Sequence, residues 1–164
     1  MEQTLSPLLS LIEANWDIAS CYIAKHHDRE WCAQFIAETA EGERLTFFTP
    51  WRNEEEKAAT LIMLGLTFRE KGVKRYVLSS EVWMAEYEGK SGENFVMPVN
   101  RPDRIEALQC IGVDPEAGEI LQYHAEIIRN GRRRKLGERK AATHNSMSGR
   151  MTELLGPVTK KAVN

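Results

Sequence analysis

The chain has 164 residues, 42% hydrophobic and 28% charged, with a formal net charge of −2. This is enough for one domain to bury a core without disulfides or metals. No apolar run approaches the roughly 20 residues that cross a bilayer, the N-terminus lacks a basic, apolar leader, and the cysteines are three and scattered. Cys21, Cys32 and Cys110 therefore read as free thiols of a reducing compartment, and the expectation is a cytoplasmic protein without membrane contact or cofactor.

Ser6-Pro7 ahead of "LLSLIEA" marks a helix start, with Ser6 as cap and Pro7 at the first helical position. From Trp16 the pattern turns to β-branched and aromatic residues. "DIASCYIAK", "EWCAQFIAE" and "RLTFFT" predict three strands, and the short links "HHDR" and "TAEGE" make them antiparallel neighbours.

Residues 53–72 carry the clearest local signal. Asn53 and Glu56 have the spacing of a capping box, and Glu54, Glu55 and Glu56 suit the positive end of a helix dipole. "KAATLIMLGLTFREK" then runs to Gly72, a helix stop, over about 27 Å. Its centre, "AATLIMLGLTF", is apolar around most of the circumference, which predicts deep burial or a second covering surface.

"VKRYVLSSEVWMAEY" predicts a long strand over 73–87, so that Leu45 to Tyr87 forms a right-handed crossover between parallel strands. "EGKSGENFVMPVNRPD" reads as a loop. "RIEALQCIGV" and "EILQYHAEIIR" flank "DPEAG" as a hairpin, and Leu121, Tyr123, Ala125 and Ile127 alternate with polar residues as one buried face. Asn130-Gly131 is a tight-turn signal that folds "RRRKL" back on 119–129. Met147, Met151, Leu154 and Leu155, at i, i+4, i+7 and i+8, predict a short amphipathic helix over 146–155, weakened by Gly149. The expected fold is α+β: a mixed, largely antiparallel sheet of about six strands on one long central helix, with an N-terminal and a short C-terminal helix.

Charge divides the chain unevenly. Residues 131–164 hold nine Lys/Arg and two Glu, a net of +7, which leaves residues 1–130 at −9. The expected organisation is an acidic body, 1–130, and a basic extension, 131–164. Arg132, Arg133, Arg134, Lys135, Arg139, Lys140 and Arg150 are its candidate contacts for phosphate or partner, and Met147, Met151, Leu154 and Leu155 the candidate partner stripe. Aromatic residues for base stacking are absent after Tyr123. The function expected is a non-enzymatic interaction, assembly or accessory role, cellular or of a mobile element, in which the basic segment binds a partner protein, another copy or nucleic acid.

Two other clusters invite chemistry. His26-His27-Asp28 with Cys32 lacks zinc-site spacing, and polar turn residues explain it, so no metal is expected. Ser79-Ser80-Glu81 interrupts a strand, and Glu81 is a candidate acid, base or metal ligand, but an edge strand or a water-facing odd-numbered side is the favoured reading. The order helix, three strands, helix, strand resembles the core of restriction-endonuclease-type nucleases, which would imply Mg²⁺ held by an acidic residue and a Glu-x-Lys pair. Asp28 fills the first role loosely, "ERLTFF" has no such Lys, and Glu88-Gly89-Lys90 follows the wrong strand. This nuclease-like alternative rests on topology alone.

Overall fold

The computed structural model describes residues 5–85, 100–144 and 151–158. The described elements are α1 (Pro7–Lys25), β1 (Gln34–Thr39), β2 (Arg44–Phe48), α2 (Glu54–Glu70), β3 (Val73–Met84), β4 (Ile105–Asp114), β5 (Glu119–Asn130), β6 (Arg133–Leu136) and β7 (Lys140–His144). The seven strands form one sheet in the order β2-β1-β3-β4-β5-β6, with β7 also on β5, and every pairing is antiparallel. The protein is thus α+β, with an antiparallel sheet and two described helices.

The single central helix of the sequence reading is replaced by two long helices, each with its own core. Alternate residues of a strand point to opposite faces, so the sheet feeds both. Ile36, Val77, Leu108, Cys110, Tyr123 and Ile127 pack with Leu8, Leu11, Ile12, Trp16 and Ile23 of α1. Phe35, Ala37, Tyr76, Leu78, Ile111 and Val113 pack with Leu61, Leu64 and Phe68 of α2.

The stretch "DIASCYIAK", expected as a strand, is the second half of α1. Its buried positions continue the helical period of Leu8, Leu11, Ile12 and Asn15 through Trp16, Ala19 and Ile23. Periodicity here overrides the β-branched composition. Only two strands therefore precede α2, and the order that resembled a nuclease core is not the order found. The segment β2–α2–β3 does join strands running the same way, but β1 lies between them and no parallel neighbours exist among the described strands.

Local signals fared better where a short-range hydrogen bond decides them. Ser6 Oγ accepts from the Leu9 N–H at 3.1 Å, with Pro7 opening α1. Asn53 Oδ1 accepts from the Glu56 N–H at 2.8 Å, while the Glu56 carboxylate reaches one residue further back than expected, to the Arg52 N–H at 2.8 Å. The 114–118 hairpin and the 130–131 turn both form, the latter with Gly131 at φ +61°. Beyond β6 the chain slips by one residue: Ile127 faces Leu136, yet Tyr123 faces Ala141. β6 and β7 are therefore one edge strand broken by a bulge at 137–139.

The C-terminal helix expected over 146–155 is corrected in its described part. Residues 151–152 and 154–155 are turns, and no helix forms over 151–158. The Tyr76 hydroxyl donates to the Met151 carbonyl at 2.7 Å and accepts from the Leu154 N–H at 3.3 Å, so these backbone groups find a partner outside any helix. Gly65 permits the approach: a Cβ there would stand 3.3 Å from the Leu154 carbonyl oxygen.

Candidate functional site

The basic segment is split by the sheet. On β6 the side chains alternate, so Arg134 turns toward α1 while Arg133 and Lys135 turn away. Arg134 is buried, its side chain 1% exposed. Its guanidinium donates to Glu81 Oε1 at 2.7 Å, to the His26 carbonyl at 3.0 Å and to the Arg29 carbonyl. Glu81 Oε1 also accepts from the Trp31 N–H at 2.8 Å. The Trp31 indole donates to Ser79 Oγ, which donates to Asn15 Oδ1, both at 2.9 Å. Ser79 and Glu81, singled out for possible chemistry, are thus links in a network that fastens the 26–33 connection to the sheet.

Arg139 is exposed, but it too is engaged within the chain. It donates to Glu13 at 2.9 Å and lies 4.2 Å from the centre of the Tyr123 ring. Hydrogen bonding from Arg139, joined by the Tyr123 hydroxyl at 2.8 Å, holds the Glu13 carboxyl below its usual range despite the opposing effect of burial. Arg132, Arg133, Lys135 and Lys140 are exposed, and none makes an ion pair among the described residues. Leu154 is buried, and Met151 and Leu155 are half-buried against the α2 core. Met147 and Arg150 lie outside the described residues, as does Glu88-Gly89-Lys90.

His27 Nδ1 accepts from the Arg134 backbone N–H at 3.1 Å, and Asp28 is exposed. Among the described residues no three His, Cys, Asp or Glu side chains converge as a metal requires.

Among the described residues, exposed apolar side chains gather on α2. Its inner side buries Leu61, Leu64, Gly65 and Phe68, while Ile62, Met63 and Leu66 are 66%, 63% and 56% exposed. At 100° per residue these three share the side opposite the buried one. Grooves flank them: one of about 320 Å³ floored by Leu61, Gly65 and Leu154, and one of about 380 Å³ between Met63 and Phe47–Phe48 of the edge strand β2. Phe48 is itself 63% exposed. The sequence announced this surface as a helix apolar on too many sides, but its location beside β2 needed the fold.

The family model of bacteriophage lambda protein ea47 matches residues 42–152. The chain belongs to that family. The matched stretch begins just before β2 and contains α2 and the β5–β6 hairpin, while α1 and β1 precede it. No curated protein and no solved structure matches the chain.

Proposed function

We propose that this member of the family works by binding protein surfaces, as an accessory or assembly factor rather than an enzyme, and that the outer face of α2 is its main contact. The observation that carries this reading is the exposed stripe of Ile62, Met63 and Leu66, with Phe48 beside it, among the described residues. Burial of one such side chain stabilises by about 1.5–3 kcal/mol, so four of them left in water favour association. Scattered exposed apolar residues are ordinary, whereas a contiguous patch marks an interaction site.

The exposed cations of the β5–β6 hairpin, Arg132, Arg133 and Lys135, supply a second, polar contact suited to an acidic surface. Nucleic acid is the weaker fit for them. Three or four phosphate contacts give a salt slope of only about −3, and residues 1–130 carry a net −9 that repels a polyanion.

The test is the double variant Ile62→Gln/Leu66→Gln, since glutamine keeps the helix propensity and removes the apolar surface. The variant is expected to melt as the parent does and to lose the parent's associated state, read by sedimentation and chemical cross-linking. Unchanged association in a folded variant overturns the reading.

A further inference from the structure

We infer that the occupant of the α2 face is a second copy of this chain, packed antiparallel about a two-fold axis at Ile62. The inference rests on the association proposed above and adds the partner and its geometry. Glu55, Ala59, Ile62, Leu66 and Arg69 are all exposed, and their spacings of four, three, four and three are those of a heptad seam. The middle three are apolar and the two ends carry opposite charges.

The seam is complementary to itself in one orientation only. Glu55 and Arg69 each stand seven residues from Ile62, about 10.5 Å along the axis. A two-fold axis at Ile62 therefore sets Glu55 of each copy against Arg69 of the other. A parallel pairing would instead oppose Glu55 to Glu55 and Arg69 to Arg69. The antiparallel pairing also places the small Ala59 near Leu66 of the second copy and sets the helix dipoles head to tail.

The surroundings fit the same arrangement. The grooves on either side of the seam receive the ridge of a facing helix, the usual way two helices interlock. Glu70 approaches Glu56 of the second copy, but there Arg52 already stands 3.6 Å from the Glu56 carboxylate. Phe48 and Met63 then line the rim. Such a contact is isologous, so it closes after two copies.

The full chain at rising concentration, followed by light scattering, is expected to reach twice its mass of 18.7 kDa. Glu55→Arg and Arg69→Glu each are expected to weaken the dimer about 10-fold, and the double reversal to restore it, as for a charge pair across an interface. Ile62→Cys, in a Cys21→Ser background that removes the exposed native thiol, is expected to form a disulfide-linked dimer on mild oxidation, with the background alone remaining uncross-linked. A monomer at every concentration overturns this inference. If Ile62→Gln/Leu66→Gln still releases some other bound protein, the reading of the previous subsection stands without it. A dimer indifferent to that double variant overturns both, and a dimer without the Ile62→Cys cross-link overturns the axis.

Discussion

Arg134 on β6 and Glu81 on β3 meet at 2.7 Å across two intervening strands, with 1% and 13% of their side chains exposed. The guanidinium also bonds the carbonyls of His26 and Arg29, so one side chain ties the edge hairpin, the centre of the sheet and the end of α1 together. Removing one partner of a buried pair leaves the other uncompensated, at a cost of about 3–5 kcal/mol. Arg134→Met is therefore expected to lower the urea midpoint sharply. Glu81→Gln, which keeps an oxygen for the Trp31 N–H and for Arg134, is expected to cost less.

Tyr76→Phe removes the hydroxyl that serves both the Met151 carbonyl and the Leu154 N–H. Each buried backbone group left without a partner costs about 1–3 kcal/mol. Burial also pushes the Tyr76 phenol well above its usual range, so it stays a neutral donor at any physiological pH. The variant is expected to lose about 2 kcal/mol in denaturant titration and to exchange the amides of 151–158 faster than those of β3.

Glu13 links stability to acid. Its folded pKa lies below the ordinary 4.5 because Arg139 and Tyr123 hydrogen-bond its charged form. A depressed carboxyl contributes stability above its unfolded pKa and loses it as pH falls through the folded value. Glu106, lowered by Arg129, adds a contribution of the same sign. The stability–pH curve of Glu13→Gln is expected to be flatter than the parent's below about pH 4.5, with the two curves parallel near neutrality. Equal slopes in the acid range would disprove the linkage.

The hairpin cations are separable from the buried Arg134 and from Arg139, which pairs with Glu13. Arg132→Ser/Arg133→Ser/Lys135→Ser is expected to keep the parent's stability within about 0.5 kcal/mol, as surface changes do. On a heparin column the parent is expected to elute with a salt slope between about −3 and −4, and the triple variant with one near −1, from the remaining exposed Lys140. A parental slope of about −5 or steeper would mean that cations beyond the exposed hairpin group also reach the polyanion.

The sequence disclosed structure wherever a nearby atom decides it. Ser6, Asn53, the 114–118 hairpin and Gly131 each act within about four residues, and each formed where the letters placed it. It misled where the deciding contact is distant. "DIASCYIAK" reads as a strand until the buried spacing from Leu8 to Ile23 is set against a sheet face. Arg134 reads as one of seven candidate surface cations, since its partners are 53 to 108 residues away. The surplus of apolar residues on α2 was visible from the start. Which of them stay in water depends on how β2 and the 151–158 turns flank the helix, and no local pattern encodes that.

The bulge at 137–139 limits how the molecules can aggregate. A continuous outer strand would offer an unbroken row of N–H and C=O groups, a template on which further chains could add into fibrils. Here the row is interrupted between β6 and β7, and Arg133 and Lys135 line one of its halves, so a would-be neighbour meets a misaligned ladder and like charges. Growth by strand addition is blocked at that end of the sheet, and contact between molecules is diverted from open-ended polymers to side-chain surfaces.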